Sequence, residues 1–448
     1  MTWQPFILAI CPTKLPTAPA APLTTTTSPC LGLQISRKPI RLYTFSANSR
    51  LVHSSSNGCI CYSYLTILPP SWYISSFTSN KMHRRVSLLV YDTCRWILPS
   101  TCHSVGFHST TMKEAISAKK FVFTKRFQGL PQLDNFSLEK EELPELKPGD
   151  VLCEALYLSV DPYMRPYSLS WPLGTTMKGG QVSKVIESKN EKFPVGSLLV
   201  GYFGWRTHTV VNPDVRSKDF MEQITVLPNL GTLCPSVGLG AVGMPGNSAY
   251  FGFLEICKPK HGDVVVVSGA AGAVGSLVGQ IAKIKGCHVI GFAGSDEKVK
   301  WLTDELGFDN AYNYKTCDWK SSLKEGAPNG VDCYFDNVGG QLSVAVRSHM
   351  NDFGRISVCG AISLYNDTVP TLVPCVEPAM VFKQLRMEGF LVHRWTHRFL
   401  EGMGQMSTWI QEGKIKIKET HTNGFENMPA AFIDMLKGGN FGKAIVKA

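Results

Sequence analysis

The chain has 448 residues, 44% of them hydrophobic and 18% charged, with 40 Gly, 27 Pro, 14 Cys and a formal net charge of +10. That apolar fraction supports sizeable cores and, at roughly 150 residues per domain, about three domains; it excludes global disorder and a disulfide-dense miniprotein. Residues 1–111 carry nine Lys and Arg against the single acid Asp92, so the remainder is close to neutral. The basic residues fall in a featureless leader rather than on a folded face, so nucleic-acid binding is not expected.

The leader is rich in Ser and Thr (Thr24 to Thr27, Ser54 to Ser56), has Pro-rich patches such as Pro16 to Pro22, and shows no sustained period of 3.6 or 2. Met1 to Cys11 lacks the basic start of a secretory signal, and Leu65 to Leu68 runs into Pro69-Pro70 before reaching spanning length, so no membrane insertion is expected. An Arg- and Ser-rich, acid-poor leader also describes a transit peptide, but no amphipathic helix is found near its start. We read 1–111 as an unstructured or non-native extension and Met112 as the start of the working chain, in the cytoplasm. Six cysteines lie in the leader and eight are scattered beyond it, with no Cys-x-x-Cys and no zinc-ligand spacing. They read as small buried hydrophobes in a reducing compartment, and no metal site is expected.

From Met112 to about Gly231 short strand-like runs alternate with turns: Pro148-Gly149-Asp150 precedes Val151 to Tyr157, Pro194-Val195-Gly196 precedes Ser197 to Gly201, and Thr207 to Val211 follows. That spacing predicts an antiparallel, barrel-like domain. From about Thr232 the pattern changes. Val264 to Val267 is a continuous β-branched run, followed by a Gly-rich turn and a helix to about Lys285. Strands are predicted at His288 to Phe292, Asn310 to Tyr314, Asp332 to Asp336 and Arg355 to Cys359, with helices at Ser295 to Leu306 and Gln341 to Met350. Apolar strands alternating with helices imply a parallel, doubly wound sheet. The tail, Lys414 to Lys418, Gly424 to Leu436 and Gly442 to Val446, reads as strand, helix, strand. The expected fold class is α/β: a doubly wound dinucleotide-binding domain over 232–413, and a β-rich domain over 112–231 completed by 414–448.

Gly269-x-x-Gly272-x-x-Gly275, between a strand and a helix, is a phosphate-binding turn in the right context. Glycine lets the backbone approach a pyrophosphate, and the helix N-terminus offers free N–H groups and partial positive charge. At the end of the next strand, Gly291 to Ser295 lacks the acid that usually meets the ribose hydroxyl of NAD, and Lys298 follows. An absent carboxylate and a nearby cation favour NADP.

Zinc alcohol dehydrogenases need Cys, His and acidic ligands that are not at suitable positions here. Short-chain reductases need Tyr-x-x-x-Lys, and no tyrosine here has lysine four residues on. A metal-free reductase must stabilise a developing oxyanion by hydrogen bonding, for which a tyrosine and the cofactor's ribose hydroxyl suffice. That suits reduction of a polarised C=C bond.

Asp161-Pro162-Tyr163-Met164-Arg165, Val242 to Gly246, Ala249 to Gly252, Ala270 to Gly275, Phe335 to Gly340, Cys359 to Ser363 and Gly424 to Pro429, in this order, resemble the zinc-free medium-chain dehydrogenases/reductases. The resemblance runs from about Met112 to Ala448 and implies a GroES-like catalytic domain beside the Rossmann domain, in a cytosolic homodimer. It implies NADPH-dependent reduction of α,β-unsaturated ketones and aldehydes, including 15-oxo-prostaglandins, and oxidation of the leukotriene B4 12-hydroxyl with NADP+. On that pattern Gly272, Ala273, Val274 and Gly275 hold the pyrophosphate, and Lys298 and Tyr314 the 2′-phosphate. Asn337, the run Cys359, Gly360, Ala361, Ile362, Ser363, Leu364 and Tyr365, then Phe390, Leu391, Val392 and Asn440 complete the cofactor contacts. Tyr365 is the catalytic candidate, sharing the enolate oxygen with the nicotinamide ribose hydroxyl, and Tyr163 is a candidate wall of the substrate pocket.

The chain departs from the pattern at Pro166 to Pro172, usually more polar and Lys-containing, at Lys178 to Gln181, and at His393, where tyrosine is common. Substrate range is therefore less secure than cofactor. A quinone reductase of the same superfamily and a non-catalytic NADPH-binding protein stay open as alternatives.

Overall fold

The computed structural model describes residues 116–215 and 223–448, so the extension assigned to 1–111 lies outside the described residues. Residues 116–215 build β1 (Ala118–Phe123), β2 (Phe136–Glu141), β3 (Val151–Ser159), the single helical turn α1 (Met164–Tyr167), β4 (Thr175–Thr176), β5 (Gln181–Ser188), β6 (Leu198–Gly201) and β7 (His208–Val211), and β8 (Thr225–Val226) opens the second stretch. The turn residues read from the sequence do the work expected of them. Gly149, before β3, has φ +89 and a Cβ there would stand 2.7 Å from the Asn212 side chain, so only glycine fits.

The second stretch contains α2 (Met244–Phe251), β9 (Val264–Ser268), α3 (Gly275–Ile284), β10 (His288–Ala293), α4 (Asp296–Lys300), β11 (Asn310–Asn313), α5 (Trp319–Gly326), β12 (Val331–Asp336), α6 (Gly340–Ser348), β13 (Met350–Val358), α7 (Glu377–Phe382), β14 (Arg386–Gly389) and α8 (Phe399–Gln411). Its strands form one parallel sheet in the order β11-β10-β9-β12-β13-β14. The central strand shows why. Val265 and Val267 pack with Leu277 and Ile281 on one face, while Val266 packs with Ile290, Tyr334 and Leu342 on the other. All three valines are fully buried, each worth roughly 1.5–3 kcal/mol, which is why the run has no polar alternation. The strand order reverses between β9 and β12, and ligands of doubly wound sheets bind at such a switch point.

The chain then crosses back. β15 (Glu419–Asn423), α9 (Met428–Lys437) and β16 (Lys443–Lys447) follow, and the two strands join the largest sheet, ordered β15-β16-β3-β5-β6-β8, with β7 also paired to β3. A smaller sheet, β2-β1-β4, lies beside it in sequence. In the core between these sheets and α9, Phe136 stacks on Trp205 and Phe432 meets both rings edge-on.

Three details differ from the sequence reading. Lys414 to Lys418 is not a strand: the Lys414 and Ile415 N–H groups donate to the Trp409 carbonyl and close α8, Ile415 is buried in the core, and pairing starts at Glu419. The helix expected over Ser295 to Leu306 has Ser295 as its N-cap and widens into a π-helical turn over Trp301–Glu305 before Gly307 (φ +74) ends it. β14 was not anticipated, because four residues bearing Arg386 and Glu388 present no apolar run. No helix among the described residues is long and apolar enough to cross a membrane.

Candidate active site

At the end of β9, Gly269 (φ +59) turns the chain into α3. A Cβ on Gly275 would stand 2.4 Å from the Gly269 carbonyl oxygen, so the helix meets its strand only through glycine. A Cβ on Gly272 would meet only that same oxygen, at 3.2 Å, which leaves the outer side of the turn open. Gly272, Ala273, Val274 and Gly275 all face a cavity of about 430 Å³. The first turn of the ten-residue helix α3 therefore opens onto it, as a pyrophosphate requires.

One end of the cavity is cationic. Lys298, Tyr314 and Lys315 line it, and Gly294 lets the Tyr314 ring lie close, since a Cβ there would stand 2.9 Å from its hydroxyl. Lys298 is buried; its ammonium donates to the Gly438 carbonyl at 2.6 Å and sits over the Phe441 ring at 5.4 Å. Burial and the neighbouring Lys315 push its pKa down. Among the described residues neither lysine has a carboxylate at ion-pair distance. Two cations with no carboxylate closer than the more distant Asp434, which acts on Lys298, fit a 2′-phosphate.

The loops after β12 and β13 form the next wall. Asp336 is buried and accepts from Ser268 Oγ (3.0 Å) and from the Val338 and Gly339 N–H groups (3.0 and 2.9 Å), fixing the loop that carries Asn337. Cys359, Gly360, Ile362, Ser363 and Tyr365 line the cavity with Asn337. Ala361 and Leu364 do not: Leu364 faces Gly339 and Gly340 at the start of α6, and the Ala361 N–H donates to the Tyr365 hydroxyl at 3.2 Å. Burial pushes the Cys359 thiol up to about 12 and raises the Tyr365 phenol, which the Ala361 N–H partly offsets. Phe390, Leu391, Val392 and Asn440 also reach the cavity.

The opposite end is aromatic. Tyr163 lines it with Tyr167 and Tyr202, ring centroids 5.4 and 6.5 Å from Tyr163. Burial, then Tyr202 and Asp161, push the Tyr163 phenol well above its ordinary value. Beneath it lies a buried ion pair. Lys443 Nζ donates to Asp161 Oδ1 (3.0 Å), the Val160 carbonyl (2.8 Å) and the Ala444 carbonyl (3.0 Å), while Asp161 also accepts from Ser159 Oγ. Sequence reasoning missed Lys315, Tyr167, Tyr202 and Lys443. Only Tyr167 carried a signal, as an aromatic in a stretch usually polar.

Fold and cavity together define a dinucleotide-dependent oxidoreductase with a β-rich part completed by the C-terminus. Residues 119–218 match the model of an N-terminal domain of oxidoreductase, and 273–408 match that of a zinc-binding dehydrogenase. Among the described residues no group of three or more His, Cys, Asp or Glu is placed to hold a metal ion. The chain belongs to the medium-chain dehydrogenase/reductase family. It is 52% identical over 336 residues to prostaglandin reductase 1 of Bos taurus, covering 74% of this chain and 100% of that one. It is 38% identical over 341 residues to the NADPH-dependent curcumin reductase of Escherichia coli, covering 73% and 96%. The crystal structure of CurA from Vibrio vulnificus with NADPH superposes with a TM-score of 0.69 at 38% identity, covering 74% and 99%.

Removing one partner of the buried pair strands the other charge. Lys443→Met is expected to cost about 3–5 kcal/mol in urea unfolding, and Lys443→Met with Asp161→Leu to recover most of that loss.

Proposed function

We propose that the protein is an NADPH-dependent reductase of the C=C bond of α,β-unsaturated ketones and aldehydes. The observation that carries this is a single cavity shared by the phosphate turn, two lysines with no carboxylate at ion-pair distance, and the half-buried Tyr365 phenol. The names of the relatives, a prostaglandin reductase and a curcumin reductase, agree with it. The β-rich part over 112–231, closed by 414–448, is read as the substrate domain and 232–413 as the cofactor domain.

Gly272 to Gly275 hold the pyrophosphate with backbone N–H groups. Lys298, Lys315 and Tyr314 hold the 2′-phosphate, and Asn337, Cys359 to Tyr365, Phe390 to Val392 and Asn440 complete the contacts. When bound, NADPH would supply a hydride to the β-carbon of the enone, and a proton taken from solvent at the α-carbon would complete the reduction. The chain's own task is to receive the charge that appears on the carbonyl oxygen. Tyr365 is built for this: its oxygen accepts the Ala361 N–H, which leaves its own proton to donate, and a raised pKa keeps that proton in place at neutral pH. Tyr163 forms part of the wall against the substrate. The finer substrate, a 15-oxo-prostaglandin, is supported by the name of the Bos taurus relative. Leukotriene oxidation is supported by the family resemblance alone.

We place the protein in the cytoplasm as a homodimer. The cysteines of the described residues are all free thiols, which suits a reducing compartment. β14 is an edge strand, near in sequence to the exposed apolar side chains Leu372, Val381 and Phe382, a pattern that pairing with a second copy would cover.

NADPH oxidation is expected with enones and much less with quinones; quinone-selective turnover, or none, would overturn the reading. Tyr365→Phe is expected to lower kcat about 100-fold with little change in KM. The Lys298 ammonium, its pKa pushed down, loses its proton at lower pH than an exposed lysine. Fluorescence titration should therefore show NADPH affinity falling as pH rises through that pKa while NADH affinity stays flat, and Lys298→Ala should remove the difference. Light scattering should give the mass of a dimer.

A further inference from the structure

Arg165 closes the run Asp161-Pro162-Tyr163-Met164-Arg165, yet unlike Asp161, Pro162 and Tyr163 it does not line the cavity. Its side chain is buried on the single turn α1, and burial pushes its pKa down. A guanidinium keeps its proton inside a protein, so a cation placed there must be met by acceptors.

Those acceptors belong to two other segments. Nε donates to Asn366 Oδ1 at 3.0 Å and Nη2 to the Gly129 carbonyl at 3.0 Å, while the guanidinium lies over the Phe127 ring, 5.4 Å from its centroid. The loop bearing Phe127 and Gly129 grips α1 in return, since Arg126 Nη1 donates to the Ser168 carbonyl just past that turn. Gly129 also borders the third segment: a Cβ there would stand 3.8 Å from the Asn366 carbonyl oxygen and 3.8 Å from the Thr368 methyl. Three stretches far apart in the chain therefore meet on one guanidinium.

Asn366 follows Tyr365 directly. Upstream of the tyrosine, the loop hangs from the end of β12, with the Ile362 and Ser363 N–H groups donating to the Asn337 and Val338 carbonyls at 3.2 and 3.1 Å. Downstream, residues 367–375 are exposed and run without helix or strand toward α7. The contact with Arg165 is thus the anchor on the far side of Tyr365. Across the cavity, Tyr163 and Tyr167 are carried by the same turn that carries Arg165.

We propose that Arg165 is a positioning residue, which through Asn366 holds the Tyr365 phenol at a set distance from α1 and the tyrosines lining the cavity. It does not line the cavity itself, so it acts through the tyrosine. The inference rests on the enone-reductase reading above, in which Tyr365 receives charge from the carbonyl oxygen, and adds the group that keeps it in place. A hydrogen bond to a developing oxyanion depends steeply on distance, so a displaced loop loses rate while cofactor binding at the phosphate end persists.

The test uses the full chain with NADPH and either benzalacetone or a straight-chain enone, whichever turns over faster. Asn366→Ala removes one acceptor and leaves Arg165 Nε a second, the Gly129 carbonyl at 3.3 Å, so the fold is retained. It is expected to lower kcat about tenfold with NADPH affinity by fluorescence unchanged. Without cofactor, the same variant should speed amide hydrogen exchange over residues 363–368. Asn366→Asp keeps the acceptor and should hold kcat within about twofold of the unaltered chain. Arg165→Lys should repeat the loss, because an ammonium lacks the planar fork that reaches both acceptors. In a Tyr365→Phe background, Asn366→Ala should lower kcat by less than about twofold more, since no phenol is left to place. A tenfold loss that persists in that background, or kcat unmoved in both Asn366→Ala and Arg165→Lys, overturns the inference and leaves the enone reading intact. Absence of turnover of every enone by the unaltered chain overturns both.

Discussion

The Lys443 ammonium is the contact on which the site depends. It sits in the last strand of the chain, yet its three donors go to Val160, Asp161 and Ala444, so it welds β16 to the turn that carries Tyr163. One residue earlier, the Gly442 N–H donates to the Ala271 carbonyl at 2.8 Å, and Gly442 bridges to Gly272. A Cβ on Gly442 would stand 1.9 Å from the Lys418 carbonyl oxygen at φ +59, so the crossing admits only glycine. Two consecutive residues thus join the Gly269–Gly275 turn to the tyrosine-lined wall of the cavity. A buried charge is a costly way to make such a joint, and it holds here because every donor is satisfied.

The parallel sheet supplies the other constraint. Its central valines bury both faces of β9, which leaves polar chemistry only at the strand ends. There Ser268 and Asp336 meet across the switch point and spend their hydrogen bonds on loop N–H groups. The loops are therefore set by buried groups that do not themselves line the cavity.

How much of this was legible in the sequence depended on whether the signal was local. The glycine spacing at 269, 272 and 275 and the valine run before it are contiguous, and both the turn and its strand could be read directly. Tyr365 and Asn337 were expected from the family resemblance, Asn337 within one of its contiguous motifs and Tyr365 two residues beyond another. Lys443 could not be found this way, because its partner Asp161 lies 282 positions away and a lysine after Gly442 looks like an ordinary surface residue. Lys315 follows Tyr314 in a turn and gains meaning only when α4 brings Lys298 beside it. Reading Cys359 to Tyr365 as one continuous lining was too coarse, since a tight loop turns Leu364 away and uses Ala361 to hold the tyrosine.

Lys298 shows how the C-terminal crossing serves both ends of the cavity. A buried ammonium beside a second lysine is penalised more than the distant Asp434 offsets, and its pKa is pushed down. The chain limits it with the Gly438 carbonyl and the Phe441 ring, which also receives Lys418 at 4.9 Å. These contacts are weaker than an ion pair, and they leave the ammonium with no carboxylate at ion-pair distance. Gly438 and Phe441 belong to the same short segment as Gly442 and Lys443. The segment that restrains the Lys298 ammonium therefore also anchors the tyrosine-lined wall of the same cavity. Displacing it would disturb both.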